Sequence, residues 1–314
     1  MRRGHIYILG ICLLMTGGVP LKVQGQINPA TAFYWENPFY INPASVNLDY
    51  AAWFTLAARK QWTAFPGSPS TLNTTGAFYA EEYRTQVGYT VVRDRIGYLN
   101  TTDVSLAYAY TAKLSWNSFL NFGISGAFQS QTIDRSKVDL DDELDPVIGD
   151  TFFEGMQEWN ASIGMEYVYD KKLTLGISGR NFLSFLKKDP HIWGGTRYLY
   201  GRYRTRWVEH SFDLEAGFCV HQYEDDTQVE GMLTWYLNRD RREELLQLSL
   251  LGRSTGEIGF LVGVKLVSDL KFLLACDYNF YGVSGNTLGT FELMVSYPLH
   301  KSTTCRSEWD LWKQ

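Results

Sequence analysis

The chain has 314 residues, a formal net charge of -5, 20% charged residues and 15% aromatic residues. This composition excludes an intrinsically disordered chain and gives no basis for nucleic-acid binding. The mean hydropathy of -0.21 argues against a helical membrane protein, and no segment after the N-terminus offers about 20 continuous apolar residues.

The N-terminus has the pattern of a signal peptide, which we predict to span 1–25. Arg2 and Arg3 precede an apolar run over 6–15, and small residues over 23–25 form a cleavage site before Gln26. The run is too short for a spanning helix, so we expect export. Residues 26–50 form an irregular leader, because they are rich in Asn, Pro and aromatic residues.

The first strands are predicted over 51–62, 70–79 and about 86–91, and the proline-containing loop 65–69 separates the first two. The clearest hairpin follows over 105–129. Its apolar side chains alternate with small or polar ones, the side-chain period of two that a strand requires. One face is therefore apolar and the other small and polar, which suits either a soluble sandwich or, inverted, a membrane barrel.

The segment 132–158 reads as a long loop with an acidic cluster. A calcium site is conceivable there, because clustered carboxylates suit this hard cation. The spacing matches no EF-hand, and a solvated external loop is the favoured interpretation. The carboxylates considered are Asp139, Asp141, Asp142, Glu143 and Asp145.

Alternation resumes in the second half of the chain. Strands are predicted over 162–169, 173–180, 212–220, 228–237, 246–250, 258–266, 272–279 and 291–297. Between them, 183–210 mixes arginines with aromatic residues. Such a stretch can bind single-stranded nucleic acid, but export favours a strand or loop that faces the lumen or lipopolysaccharide.

These elements give thirteen strands, or fourteen if the arginine-rich segment supplies one. Single-chain bacterial barrels have even strand numbers, so we predict an all-β fold: a single antiparallel transmembrane β-barrel of about fourteen strands, with twelve as an alternative, and long external loops. The barrel would span 51–300, followed by a tail over 301–314. Glycines beside the polar faces, such as Gly123, Gly164 and Gly217, support this choice, because small residues let lumen side chains fit.

Several motifs resemble the PorP/SprF family of type IX secretion outer-membrane proteins of Bacteroidetes. Asn42-Pro43-Ala44 is similar to the family's NPA motif, and 59–71 (RKQWTAFPGSPST) to its (R)xQWxxFxGxPxT block. The hairpin around 87–97, the strand at 106–110, the Asp-Pro loop at 145–146 and the closing strands at 277–278 and 291–293 also agree. The chain departs from the family pattern at 45–46, 159–161 and Phe291.

The resemblance implies an outer-membrane barrel that acts as a partner or surface anchor in type IX secretion or gliding motility. Its partner would be a secreted adhesin with a type B C-terminal domain, or components of the secretion machinery. Outer-membrane lipid and lipopolysaccharide are the other expected partners. A channel for a small or hydrophobic solute is the alternative function.

We expect no enzymatic activity, cofactor or metal. Catalysis would need a histidine beside a serine or carboxylate, and the sequence after residue 25 has four histidines, mostly at predicted strand ends. They are His191, His210, His221 and His300.

Three groups of residues are the candidates for partner binding, because loops on a rigid scaffold commonly carry contacts. The first group belongs to the family block, which could equally pack the lumen as a plug or turn: Trp62, Phe65, Pro66, Gly67 and Pro69. The second is the acidic cluster: Asp139, Asp141, Asp142 and Glu143. The third is aromatic: Trp193, Tyr198, Tyr200, Tyr203 and Trp207.

Overall fold

The computed structural model describes residues 31–64, 66–134, 155–186, 192–205, 212–223, 226–240, 243–266, 269–280 and 287–300. The predicted signal peptide, the acidic cluster and the predicted C-terminal tail lie outside these ranges. No helix in the described ranges has the length and hydrophobicity needed to cross a bilayer.

Fourteen antiparallel strands close into one barrel over the described part of the chain. Each strand pairs with its neighbours in sequence, and β14 pairs with β1. The strands are β1 (Tyr50–Lys60), β2 (Ser70–Ala80), β3 (Thr85–Ile96), β4 (Leu99–Lys113), β5 (Ser118–Ile133), β6 (Met156–Tyr169), β7 (Leu173–Arg180), β8 (Thr196–Arg204), β9 (Phe212–Tyr223), β10 (Asp226–Asp240), β11 (Glu243–Arg253), β12 (Glu257–Lys265), β13 (Lys271–Asn279) and β14 (Thr290–His300). The predicted fold class is confirmed, and the arginine-rich segment supplies β8.

The apolar faces of the strands point away from the barrel. On β4, Leu106 is 67% exposed, whereas its neighbours Ala107 and Ala109 point inward and are buried. On β5, Ile124 is exposed and the polar Asn121 is buried. This pattern inverts that of a soluble sandwich and is the pattern of a barrel in lipid.

The two ends of the barrel differ in the length of their connections. Antiparallel strands place alternate connections at the same end, and one end carries 61–69, 97–98, 134–155, 181–195, 224–225, 254–256 and 280–289. We call this end the long-loop rim. The opposite end, the short-turn rim, carries 81–84, 114–117, 170–172, 205–211, 241–242 and 266–270.

Short 3-10 helices lie outside the strands. Ala32–Trp35 and Pro38–Tyr40 belong to the segment that precedes β1, and Phe182–Phe185 follows β7. The side chain of Thr31 caps the first of them by accepting a hydrogen bond from the Phe33 N–H.

Candidate functional site

The barrel lumen contains the segment 31–49, which we call the plug. Most of its side chains are buried, including the large aromatic residues Phe33, Trp35 and Phe39. Inside the barrel Phe33 and Trp35 pack against apolar wall residues in one buried cluster: Met232, Leu251, Leu261, Leu273, Ala275 and Met294. Phe39 packs in a separate buried cluster with Trp53, Ala77 and Ala107. Burying a side chain of this size stabilises a fold by about 1.5–3 kcal/mol, so the plug is an integral part of the structure.

Two buried carboxylates on the barrel wall bind the start of the plug. Glu292 on β14 accepts hydrogen bonds from the Thr31 hydroxyl at 2.6 Å and the Ala32 N–H at 3.0 Å. Glu230 on β10 accepts hydrogen bonds from the Tyr34 hydroxyl and from the Trp35 indole N–H. Each carboxylate is 2% exposed or less, so these charge-assisted bonds are shielded from water.

Arginines on the wall neutralise the same carboxylates. Arg59 donates to Glu292 at 2.8 Å, and Arg253 forms an ion pair with Glu230. Arg253 also reaches Asp277 at 3.1 Å. Buried charges are costly unless they are paired, so this network stabilises the carboxylates that hold the plug.

The middle of the plug is held by a second charged contact. Glu36 accepts hydrogen bonds from the Lys271 ammonium at 2.9 Å and from the Gln247 side chain. Burial alone would raise the pKa of Glu36, but the positive charge of Lys271 and the two hydrogen bonds lower it overall. The Glu36 carboxylate therefore stays charged inside the barrel.

The Asn42-Pro43-Ala44 motif forms a buried turn of the plug. The Asn42 side chain donates to the Tyr200 hydroxyl at 3.1 Å and to the Met165 carbonyl at 3.2 Å, and it accepts the Ala44 N–H at 2.9 Å. The wall is recessed here because its nearest positions are glycines. A Cβ at Gly164 would overlap the Asn42 side chain, and a Cβ at Gly123 would overlap the Pro43 backbone.

The polar side chains of the lumen wall are also buried. Solvent in an open pore would expose them, whereas Thr75, Gln129 and Thr234 are 0% exposed. One cavity of about 20 Å³ lies between the plug and the wall, near Tyr40 and Arg180, and has room for about one water molecule. The plug and the buried polar side chains of the wall together occlude the described lumen.

The candidate residues of the family block lie at the long-loop rim. Pro66 and Gly67 are exposed, Trp62 is half-buried and Pro69 is buried. The loop is tied to its neighbours, since the Gly67 carbonyl accepts the Gly97 N–H at 3.0 Å and the Gly289 carbonyl accepts the Thr63 N–H at 2.9 Å. Phe65 lies outside the described residues. The described residues of the block are therefore tied to their neighbours in the rim.

The aromatic candidates are divided between the two sides of the barrel wall. Tyr203 is 52% exposed on the outside, whereas Tyr200 and Trp193 are buried inside. Tyr200 donates to Glu166 at 2.6 Å, and Tyr198 is near the His221 ring. In this conformation Tyr200 contacts the plug rather than an external partner. Trp207 and the acidic cluster of Asp139, Asp141, Asp142 and Glu143 lie outside the described residues.

Sequence reasoning missed the carboxylates that bind the plug to the wall, chiefly Glu230 and Glu292 on the wall and Glu36 in the plug. A signal for them exists, because Glu230 and Glu292 stand opposite apolar strand positions and so face the lumen. Buried carboxylates on a lumen face require hydrogen-bond donors, and the plug, which belongs to the segment predicted as a leader, supplies some of them. In the described part of the chain, no three His, Cys, Asp or Glu side chains gather in a way that would hold a metal ion.

Comparison with known proteins identifies the family. The profile of the family described as "Type IX secretion system membrane protein PorP/SprF" matches residues 23–297. This chain belongs to the PorP/SprF family. The match covers the plug and nearly all of the barrel, including the Asn42 turn and the block at 59–71.

None of the curated proteins matches the chain in sequence. Among solved structures, Omp33 of Acinetobacter baumannii is similar at 7% identity, over 81% of this chain and 100% of that chain, with a TM-score of 0.47. The Pseudomonas putida toluene transporter TodX is similar at 8% identity, over 85% and 95%, with a TM-score of 0.47. A TodX mutant described as a monoaromatic hydrocarbon channel has 9% identity, 83% and 93% coverage and a TM-score of 0.49.

The family and the closed barrel together place this PorP/SprF protein in the outer membrane as a type IX secretion system component. Outer-membrane barrels have short periplasmic turns and longer external connections. The long-loop rim is therefore the end expected to face outside.

Proposed function

We propose that this PorP/SprF protein is a docking barrel, which holds an exported protein at the cell surface or joins it to the secretion machinery. The favoured partner is a secreted adhesin with a type B C-terminal domain. Partner binding would take place at the long-loop rim, with the barrel as a membrane anchor. Catalysis forms no part of this role.

The occluded lumen is the observation that carries this proposal. The plug is bonded to the wall by Glu292, Glu230 and Lys271. Polar side chains of the wall, such as those of Thr75, Gln129 and Thr234, are also buried. A diffusion channel needs a continuous polar path, which the described lumen does not offer in this conformation. A rigid, filled barrel is better suited to bearing a partner than to passing a solute.

The long-loop rim supports docking because it exposes large apolar side chains. Leu288 is 72% exposed and Tyr98 is 45% exposed, and both lie in connections at that end. Exposed apolar residues beside polar loops are common at protein interaction sites. The described residues of the block, 61–64 and 66–69, lie between these two connections, because Thr63 and Gly67 form hydrogen bonds with Gly289 and Gly97.

The experiment compares residues of the same type at the two rims. Tyr98→Ala and Leu288→Ser alter the long-loop rim, and Tyr83→Ala and Leu114→Ser, also exposed, are the matched controls at the short-turn rim. Partners are co-purified from native outer membrane in mild detergent and identified by mass spectrometry. We expect the long-loop variants to lose a secreted or secretion-system protein that the controls retain.

A solute channel is the competing function. Purified protein in liposomes would then give robust flux that depends on the solute, and no partner would depend on Tyr98 or Leu288. Such a result would overturn the docking proposal.

A further inference from the structure

Strand β6 is paired with described strands on both sides along one part of its length and on only one side along the rest. It pairs with β5 from Met156 to Tyr169, but with β7 only over Ile163–Tyr169. β7 ends at Arg180, so no described strand lies beside Met156–Ala161 on that side. We call this stretch the β6 edge.

Alternate backbone N–H groups of the β6 edge point away from β5, toward the side on which no described strand lies. The Ala161 N–H donates to the side chain of its own neighbour, Asn160, at 3.0 Å, and therefore does not serve the ladder to β5. Backbone N–H groups two residues apart point the same way in a strand. The N–H groups of Gln157 and Trp159 thus also face the open side.

The described chain nearby covers the inner face of β6 and leaves this edge open. The Asn160 side chain donates to the Ser184 hydroxyl at 2.7 Å and accepts the Leu183 N–H at 3.1 Å, and the Glu158 side chain accepts the Ile192 N–H at 3.2 Å. On β6, all of these hydrogen bonds are made by the lumen-facing side chains of Asn160 and Glu158. The 3-10 helix Phe182–Phe185 therefore packs behind the edge and does not extend the sheet.

The outer face of the β6 edge lies at the membrane boundary. Trp159 is 69% exposed and contacts the Phe128 ring, with centroids 5.0 Å apart. It stands ten positions before the exposed Tyr169 at the other end of β6. Ten residues of a strand tilted by about 40° span about 25 Å of the barrel axis, the height of the apolar band, and aromatic residues mark its borders.

We propose that the β6 edge binds an extended strand of a partner polypeptide, added antiparallel to Met156–Ala161. A partner strand would pair with the backbone groups of Gln157 and Trp159, beside which no described strand lies on that side, by main-chain hydrogen bonds. Its side chains would alternate, with apolar ones beside Trp159 on the lipid side and polar ones toward Glu158 and Asn160. This chain's own residues 187–191, Lys-Lys-Asp-Pro-His, are poorly suited to pair there as a strand, since proline lacks a backbone donor. The inference rests on the proposed docking role and names its mode of recognition.

The first test maps the register of the partner by photo-crosslinking in native outer membrane. A benzophenone amino acid is placed at Gln157, at Ala161 and, as a control on the fully paired β5, at Ile124. We expect adducts from the two edge positions to map to one partner segment, four residues apart and in reversed order. Adducts to residues 135–154 of this chain, to a second copy or to lipid alone would overturn the proposal.

The second test removes one edge-facing donor. Trp159→Pro deletes both the side chain and the backbone N–H, whereas Trp159→Ala deletes the side chain and keeps the backbone N–H. We expect both variants to assemble as heat-modifiable barrels, and at least a tenfold weaker partner recovery for the proline variant than for the alanine variant. Equal recovery overturns the edge proposal, as does failure of the proline barrel to assemble, because the N–H would then pair within the chain. Loss of partner in Tyr98→Ala with equal recovery in the two Trp159 variants would leave docking at the rim intact.

Discussion

The carboxylate of Glu292, on the last strand, binds the backbone N–H of Ala32 at 3.0 Å across 260 positions of sequence. The same carboxylate pairs with Arg59 on the first strand at 2.8 Å. One side chain thus joins the plug to the β14–β1 seam that closes the barrel. Barrel closure and plug retention are coupled through it.

Glu292→Gln should destabilise the barrel by about 3–5 kcal/mol, because it leaves the buried Arg59 without its counter-charge. Denaturant unfolding in detergent, followed by heat-modifiable gel mobility, measures this loss. Glu82→Gln is the control, since Glu82 is an exposed carboxylate in the turn 81–84. Equal stability of the two variants would show that Glu292 does not hold the seam.

Gly123→Ala should displace the plug, whereas Gly126→Ala on the same strand should not. A Cβ at Gly123 meets the backbone of Pro43 and Ala44, and a Cβ at Gly126 has nothing within 4 Å. Overpacking of this kind costs about 1–3 kcal/mol. Limited proteolysis of the plug measures the effect, with faster cleavage expected for Gly123→Ala alone. Equal cleavage of both variants would mean that the plug does not rest against β5.

The strands were predictable from sequence because a barrel in lipid imposes a side-chain period of two on every span. The hairpin of β4 and β5 shows this, with Leu106 and Ile124 outward and Ala107 and Asn121 inward. The arginine-rich β8 is harder to recognise from its own sequence, because arginines are unusual in a membrane strand. Two of its arginines, Arg202 and Arg204, face the lumen, where Arg204 pairs with Asp213 and Arg202 donates to the Trp35 carbonyl. Local sequence does not display such partners.

The plug could not be predicted as a plug, because its position depends on contacts distant in sequence. The stretch 32–40 has no strand or helix period, and its proline and aromatic residues are typical of an exposed leader as well. The glycine-rich faces were correctly placed in the lumen. Gly164 shows their further purpose, which is to admit the Asn42 side chain rather than only side chains from the opposite wall.

The Glu36 contact should give plug retention a defined pH dependence. The pKa of Glu36 is lowered from its ordinary value of 4.5, so its contribution to stability is complete above that value and is lost as the pH falls through the lower folded-state pKa. We expect the fluorescence of the tryptophans, which include the buried Trp35, to report release of the plug in that acidic range. Glu36→Gln should abolish this step and leave Lys271 paired with Glu244 at 2.7 Å. An unchanged transition in Glu36→Gln would assign it to other groups.

Single-channel recording in planar bilayers tests most directly whether the plug closes this barrel. The comparison is between the full chain and a variant in which residues 31–48 are replaced by a short Gly-Ser linker. We predict that the full chain is silent and that the variant conducts steadily, because removal of the plug exposes the polar lumen wall to water. Sustained conductance by the full chain, equal to that of the variant, would contradict an occluded docking barrel.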